Sequence, residues 1–135
     1  MNKPVKFKTS TSWDEQGWQE QPNGCTLSRV FMDLEHESGA AMTHISFPPE
    51  CRVEAHTHDG DYFEVILEGS QRVGRTWHHP GDVRVVKAGT GYGPLVSGPE
   101  GCRVLVIYPD GWAPPRYLRS EDKTAGQSNV AEAAP

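Results

Sequence analysis

The fold is predicted from one stretch, Ala55-His56-Thr57-His58-Asp59-Gly60-Asp61-Tyr62-Phe63-Glu64-Val65-Ile66-Leu67-Glu68-Gly69. His56 and His58 stand two residues apart, so in an extended strand both imidazoles point to the same side. Glu64 follows six residues after His58, inside a Val, Ile and Leu run that also predicts a strand. Two imidazoles and an acid on neighbouring strands are typical of a metal site inside a β-barrel.

The composition predicts one globular domain. The chain has 135 residues, of which 36% are hydrophobic and 23% charged, which is ordinary for a soluble domain. The net charge is −5 and no basic cluster occurs, so nucleic acid and anionic membranes are poor partners. No apolar run is long enough to span a bilayer. The first eight residues lack the apolar segment of a secretory signal, so we expect a cytoplasmic protein.

Short strands separated by turns predict an all-β chain. The 14 glycines and 11 prolines punctuate the sequence at close intervals, as at Pro48-Pro49-Glu50, Glu68-Gly69-Ser70 and Gly98-Pro99-Glu100-Gly101. Such regular spacing favours an antiparallel sandwich or barrel. A short helix is possible near Trp13–Gln21. The predicted strands cover 27–34, 40–47, 51–58, 62–68, 71–77, 82–87 and 102–108.

The domain limits follow from the same patterns. We expect one barrel domain over 1–118, with an N-terminal strand extension, and a mobile polar tail over 119–135. The apolar segment Trp112–Tyr117 should pack on the barrel or on a second subunit. The three cysteines, at positions 25, 51 and 102, are widely spaced and form no Cys-x-x-Cys pair. We interpret them as buried or half-buried free thiols.

Two segments resemble the conserved motifs of the cupin superfamily. Residues 47–69 resemble the first motif, in which His56, His58 and Gly69 take the places of the family's His-x-His pair and following glycine. Residues 81–96 resemble the second motif through Gly81, Gly89 and the Pro-Gly-Asp-Val sequence that starts at residue 80. The resemblance covers about two thirds of the chain and extends to anti-sigma-factor-type cupin domains.

The resemblance implies a cupin-like double-stranded β-helix, or jelly-roll, barrel of two antiparallel sheets. It also implies a homodimer and a divalent metal ion, Fe, Zn, Mn or Ni, held inside. The motifs depart from the family at two ligand positions. Tyr62 stands where the first motif has its glutamate, and Tyr92 stands where the second has its histidine.

Glu64 is the candidate replacement for the missing acid. It has the same parity as Tyr62, so both face inward if either does, and Glu64 then lies about 7 Å along the strand from the usual ligand. His56, His58 and Glu64 would form the metal ligands, a two-histidine, one-carboxylate set of the kind that suits ferrous iron. Alternatively, Phe63, Val65 and Leu67 face inward and Glu64 faces solvent. Without a metal, an inward Glu64 would be a candidate general base.

The candidate catalytic residues are therefore Glu64, Tyr62 and Tyr92. The two tyrosines are interpreted as aromatic lining, as hydrogen-bond partners of a substrate or histidine, or as weak metal ligands. His44 on the preceding strand is either a third histidine for the metal or an ordinary hydrogen-bonded sheet residue. The histidines predicted to be exposed in turns are His36, His78 and His79. The strand arginines of which one could bind a substrate carboxylate are Arg52, Arg75, Arg84 and Arg103.

Two principal functions remain open at this stage. The first is a metal-dependent enzyme for a small-molecule ligand, of oxygenase, isomerase or lyase type. The second is a non-catalytic ligand-binding or sensory barrel with a degenerate metal site. A barrel whose interior is simply packed is the remaining alternative. In each case a homodimer is expected, because strand faces carrying Phe63, Val65 and Leu67, or Arg103, Leu105 and Ile107, would be better covered by a partner sheet.

Overall fold

The computed structural model describes residues 9–118 and is built almost entirely of β-strands. The predictions made for residues 1–8 and for the tail at 119–135 lie outside the described residues. The elements in chain order are α1 (Trp13–Gln16), β1 (Gln19–Glu20), β2 (Thr26–Asp33), β3 (Ser38–Phe47), β4 (Arg52–Val53), β5 (His56–His58), β6 (Tyr62–Val73), β7 (Thr76–His78), β8 (Val83–Val86), β9 (Leu95–Tyr108) and β10 (Pro115–Tyr117).

The strands form a large sheet and a small one. The large antiparallel sheet has the order β1-β2-β3-β9-β6-β7, with β4 added to β9 and β8 added to β6. The small sheet pairs β10 with β5, placing Tyr117 opposite His56 and Pro115 opposite His58. The histidine strand is therefore held in place by the segment that follows the last long strand.

Period-2 alternation sorts the side chains into an inner and an outer layer. On β9, Val104, Val106 and Tyr108 are buried, while Leu105 and Ile107 between them are partly exposed. The same alternation on β2, β3 and β6 closes one core around the inner face. Burial of this apolar set is the main force that rolls the sheet.

Several predicted boundaries were wrong. The segment 51–58 is two strands, β4 and β5, rather than one, and the helix covers only four residues. The expected turn at Glu68-Gly69-Ser70 lies inside β6, and the expected turn at 98–101 lies inside β9. Both are places where the β6–β9 register shifts, so the glycines mark β-bulges in continuous strands.

Gly69 shows why the bulge needs glycine. Its φ is +75°, in the left-handed region, and a Cβ at this position would lie 2.1 Å from the carbonyl oxygen of Gly101. A side chain is excluded both by the backbone conformation and by the approach of the neighbouring strand. The family-like glycine of the first motif therefore serves sheet packing.

The outer face of the large sheet carries continuous apolar rows. One row follows the register through Val30, Met42, Ile107, Phe63 and Val85. Phe63 is 42% exposed and Val85 67% exposed. The row crosses five strands, which gives one broad apolar surface on the opposite side of the sheet from the core.

The three cysteines are buried and free, as predicted. Within the described residues, no helix has both the length and the apolar character required to cross a membrane.

Candidate active site

A glycine-rich loop over residues 89–94, between β8 and β9, brings Tyr92 beside the histidine strand β5. His56 and Tyr92 form an isolated antiparallel bridge, in which each backbone N–H donates to the other residue's carbonyl oxygen at 3.1 Å. This two-way pairing fixes the loop beside β5. The side chains of both residues then enter the same space inside the barrel, with ring centroids 4.7 Å apart.

His56 is a buried, neutral imidazole with a fixed tautomer. Its Nδ1 lies 2.8 Å from the backbone carbonyl oxygen of Glu54, and a carbonyl oxygen can only accept, so Nδ1 carries the hydrogen. Burial lowers the pKa of His56 to about 4, an effect that outweighs the opposing hydrogen bond to Glu54. At neutral pH the lone pair of His56 is therefore on Nε2, which points toward Tyr92.

A directional chain of hydroxyl groups follows from that tautomer. The Tyr92 hydroxyl lies 2.9 Å from His56 Nε2, and it must be the donor because that nitrogen carries no hydrogen. Tyr92 has then used its one proton, so the hydrogen bond between the two phenols is donated by Tyr62 to the Tyr92 oxygen. The chain runs from Tyr62 through Tyr92 to His56 and ends on the Glu54 carbonyl.

Both phenols remain protonated at neutral pH. Burial raises the pKa of Tyr62, and the neighbouring Tyr92 raises it further. Burial also raises the pKa of Tyr92, but the charge of Arg84 and the hydrogen bond from Tyr62 act in the opposite direction. At Tyr92 the neighbouring groups thus offset part of the effect of burial, but its pKa is still raised and the phenol stays neutral.

His58 is prepared in the same way as His56. Its Nδ1 lies 2.7 Å from the carbonyl oxygen of Ala113, which again leaves the lone pair on Nε2 in the neutral ring. The ring lies 5.1 Å from the ring of His56 and 5.1 Å from the ring of Tyr62, measured between centroids. Burial is the main cause that lowers the pKa of His58.

Glu64 lies inside the barrel and forms a buried ion pair with Arg84. The Nη1 of Arg84 is 2.5 Å from Oε1 of Glu64, and the side chains are only 9% and 2% exposed. Burial acts to lower the pKa of Arg84, but the charge of Glu64 outweighs it and raises that pKa. The Arg84 guanidinium carbon also lies 4.7 Å from the centroid of the Tyr92 ring. Glu64 therefore positions the cation that faces Tyr92.

The predicted metal ligands do not converge as a set of three. Two Nε2 lone pairs of neutral imidazoles suit a divalent ion. The third donor, Glu64, is instead engaged by a cation, and Tyr92 donates to the nitrogen that the ion would need. Among residues 9–118 no group of three or more His, Cys, Asp or Glu side chains is arranged to hold a metal ion. As arranged, this donor set does not fit a three-ligand centre.

Of the four strand arginines, the structure places Arg84 inside the barrel and two others on its surface. Arg84 faces the interior because β8 pairs with β6 and places it directly opposite Glu64. Arg52 and Arg103 instead pair on the surface with Glu54 and Glu68. One feature of the sequence sets Arg84 apart: it stands between two valines on a predicted strand, so it lies on the opposite face of the strand from them. The carbonyl partners of the histidines have no sequence signal, because any residue supplies one.

The remaining histidines lie outside this site. His44 faces the outer layer between the rings of Trp13 and Trp18, each 5.2 Å away between centroids. It therefore lies apart from His56 and His58, and its two ring nitrogens have no hydrogen-bond partner among the described residues. His36 and His79 are exposed as predicted, but His78 is half-buried.

Comparison with solved structures found the same fold in proteins of several kinds. The polyketide cyclase RemF from Streptomyces resistomycificus matches with a TM-score of 0.66 and 20% identity over 90% of this chain and 94% of that chain. Oxalate decarboxylase from Bacillus subtilis matches with a TM-score of 0.63 and 21% identity over 75% of this chain. A structure of Rhodobacter sphaeroides SigE in complex with the anti-sigma ChrR matches with a TM-score of 0.58 and 18% identity over 67% of this chain.

These likenesses show the fold, an all-β, cupin-like jelly-roll barrel, as predicted. The chain spans 28% of the length of the matched oxalate decarboxylase chain and 48% of the matched chain of the SigE–ChrR complex. A comparison with protein-family models found no match. A comparison with the sequences of curated proteins also found no match. The structural neighbours thus include enzymes and a regulatory complex.

Proposed function

We propose that this protein is an enzyme that transfers a proton to and from a small molecule at the Tyr92 hydroxyl. The observation that carries the proposal is the directional chain from Tyr62 through Tyr92 to His56. A hydroxyl that already donates to a neutral imidazole is a relay, since it passes its own proton to Nε2 while it takes another.

Each candidate catalytic residue has a distinct part in this relay. The substrate's C–H or O–H proton moves to the Tyr92 oxygen as the Tyr92 proton moves to His56 Nε2, leaving the substrate's electron pair on its conjugate base. Tyr62 donates to the Tyr92 oxygen and stabilises it throughout. Glu64 holds Arg84 against the Tyr92 ring. Return of the proton to a different substrate atom completes an isomerisation, and loss of a leaving group completes an elimination.

Solvent deuterium exchange tests this function even while the natural substrate is unidentified. A panel of small ketones and oxo acids is incubated with the protein in D₂O, and incorporation at the carbon beside the carbonyl is followed by proton NMR. We expect Tyr92→Phe to lower the catalysed exchange rate by roughly 10²–10⁴-fold, the usual worth of general acid–base catalysis. Tyr108→Phe is the matched control. It also removes a buried phenol hydroxyl from the barrel, but that hydroxyl is not part of the hydrogen-bonded series from Tyr62 through Tyr92 to His56.

Two results would contradict the enzyme proposal. The first is exchange that survives Tyr92→Phe at the wild-type rate. The second is binding of panel compounds with no exchange in the wild type, which would favour the ligand-binding or sensory function instead.

A metal-dependent enzyme is the second candidate. It is favoured by one specific observation, the pair of Nδ1–carbonyl hydrogen bonds that leaves both histidines with an Nε2 lone pair. A divalent ion, Fe, Zn, Mn or Ni, would be held by His56 and His58 once Tyr92 released His56, and it would supply Lewis-acid chemistry. Elemental analysis of protein purified without a chelator or a histidine tag tests this. Stoichiometric metal that is lost in His56→Ala supports the candidate, and its absence from the wild type contradicts it.

We further propose that the protein is a homodimer in which the apolar rows of two copies face each other. A two-fold axis brings the same surface patch of each copy together. An apolar face that crosses five strands is self-complementary in chemistry, and its exposed area is of the kind that interfaces cover.

A further inference from the structure

A cavity opens between β2 and the segment that follows β9. It has a volume of about 320 Å³ and is lined by Arg29, Leu27, Gln19, Trp112, Pro115 and Tyr117. It is separate from a larger groove of about 530 Å³ on the large sheet, whose lining includes Val30 and Met42. The smaller cavity combines one cation, two aromatic rings and the amides of Gln19 and Gln21 in a volume suited to a small molecule.

The cation in this cavity has no carboxylate partner. The Nε of Arg29 donates to Thr43 Oγ1 at 2.9 Å, and its guanidinium carbon lies 4.1 Å from the centroid of the Trp112 ring. In the part of the chain that the structure describes, no acid pairs with it. Burial lowers the pKa of Arg29, and the neighbouring Tyr108 opposes this only in part.

The geometry of Arg29 leaves it ready for a planar anion. Thr43 and Trp112 fix the guanidinium plane, and its two terminal nitrogens remain available for a bidentate contact. Arg84 differs in this respect, because its charge is already matched by Glu64. Arg29 is thus a half-buried cation that has no carboxylate partner among residues 9–118.

The cavity adjoins the proton-transfer chain through its own walls. The Ala113 carbonyl that fixes His58 stands between Trp112 and Pro114 of the lining segment. Tyr117 lies opposite His56 in the small sheet, with ring centroids 5.9 Å apart. A molecule in this cavity therefore lies next to the histidine strand.

We infer that this cavity binds the carboxylate end of a small organic acid with a flat apolar body, with Arg29 as the anchor and Trp112 as a stacking face. This inference rests on the proposed function and deepens it, because it names the substrate class as organic acids. An anion held at Arg29 would direct the rest of the molecule toward the interior, where the relay at Tyr92 is located.

Binding of benzoate and of its neutral analogue benzamide tests the inference. The two probes have nearly the same shape and differ in charge. Their affinities for the wild-type protein therefore show whether the negative charge contributes to binding. We expect benzoate to bind at least about tenfold more tightly, as for a charged hydrogen bond. We also expect it to shift the indole N–H signal of Trp112 in ¹H–¹⁵N NMR spectra. Equal affinity for the two probes, or no binding of benzoate, would overturn the inference.

Variants identify the anchor. Arg29→Gln should weaken benzoate binding about tenfold or more and leave benzamide unaffected. Arg103→Gln, on the outer face, is the matched control and should leave both affinities unchanged. If Arg29→Gln fails to fold in a thermal melt, Arg29→Lys keeps the charge without the planar fork and should give intermediate binding. Retention of wild-type benzoate affinity in a folded Arg29→Gln protein would disprove the anchor.

The outcome is independent of the proton-transfer test. Benzoate binding is measured without turnover, and Tyr92→Phe should leave it within about threefold of wild type, below the loss of a charged hydrogen bond. Failure of the anchor therefore appears as lost charge preference with deuterium exchange intact. Failure of the proposed function appears as lost exchange with benzoate binding intact.

Discussion

The hydroxyl of Tyr92 donates to Nε2 of His56 across 2.9 Å, and the backbones of the same two residues pair with each other in both directions. The contact is thus held by main chain and side chain together. Its direction is set by a third group, the Glu54 carbonyl oxygen, which requires a hydrogen on Nδ1. The polarity of the whole hydroxyl chain follows from this one backbone acceptor.

Acid should destabilise the fold between about pH 6.5 and pH 4. The pKa of His56 is about 4 in the folded protein against an ordinary value of 6.5. In this window the unfolded chain binds more protons, so the free energy of unfolding falls as the pH falls. The loss is at most roughly 3 kcal/mol from this residue at about 1.4 kcal/mol per pKa unit. The pKa of His58 is also lowered, mainly by burial, and contributes in the same direction.

Urea unfolding curves measured at several pH values check this prediction. His56→Phe should flatten the pH dependence of the unfolding free energy over this window, whatever its effect on the stability at pH 7. His79→Gln, which alters an exposed histidine, should leave the slope unchanged. The same slope in wild type and His56→Phe would show that His56 is not buried in its neutral form.

Breaking the Glu64–Arg84 pair should cost more than breaking any surface pair. Glu64→Gln leaves the guanidinium of Arg84 buried without its counter-charge, which typically costs about 3–5 kcal/mol. The double variant Glu64→Leu/Arg84→Met should recover much of this loss, because no charge then remains buried. The measurement is the free energy of unfolding in urea at pH 7.

The surface pair between Asp59 and Arg116 is the control for that experiment. Its side chains are 69% and 64% exposed, so Asp59→Asn should change the unfolding free energy by less than about 1 kcal/mol. A Glu64→Gln variant no less stable than Asp59→Asn would mean that Glu64 and Arg84 do not form a buried pair.

The sequence placed Tyr62 and Glu64 on one face of a strand, but it left open whether that face turns inward and did not predict the ion pair. Alternation over residues 62–66 places Tyr62 and Glu64 on one face, and that parity holds in the structure. The partner of Glu64 depends on the register between β6 and β8, which is set by the loop between them and by packing. A pattern along one strand contains no information about which residue of another strand lies opposite.

The bulges were missed for a related reason. A Glu-Gly-Ser sequence satisfies the requirements of a tight turn, and it also satisfies those of a bulge within a strand, because both need a residue with positive φ. Which one forms depends on whether the next segment pairs onward. Here Gln71 and Val73 continue to pair with β9, so the strand does not end at Gly69.

Gly69 should tolerate no side chain. Gly69→Ala combines a strained backbone with a collision against the Gly101 carbonyl oxygen, and we expect a loss of more than about 2 kcal/mol in unfolding free energy. Gly74→Ala is the matched control, because Gly74 also has positive φ but a Cβ there meets nothing within 4 Å. It should cost only about 1 kcal/mol. Equal losses of unfolding free energy in the two variants would show that the close approach of the strand at Gly101 does not contribute to the requirement for glycine at position 69.

Charge placed in the exposed apolar row should separate the proposed dimer. Val85→Lys puts an ammonium group into the apolar contact, where it has no partner, and we expect a monomer by light scattering coupled to size exclusion. Thr76→Lys changes an exposed residue of β7 and should leave the dimer intact. A monomeric wild type, or a Val85→Lys protein that stays dimeric, would contradict the proposed interface.

The tautomer of His56 tests the central claim most directly. Long-range ¹H–¹⁵N NMR spectra of the imidazole at pH 7 distinguish a protonated Nδ1 from a protonated Nε2 by their ¹⁵N shifts. The hydrogen-bonded chain requires a neutral ring with its hydrogen on Nδ1 and with Nε2 as an acceptor, whose shift moves when Tyr92 is changed to Phe. A hydrogen on Nε2, or a doubly protonated ring, would contradict the direction of the chain and the relay built on it.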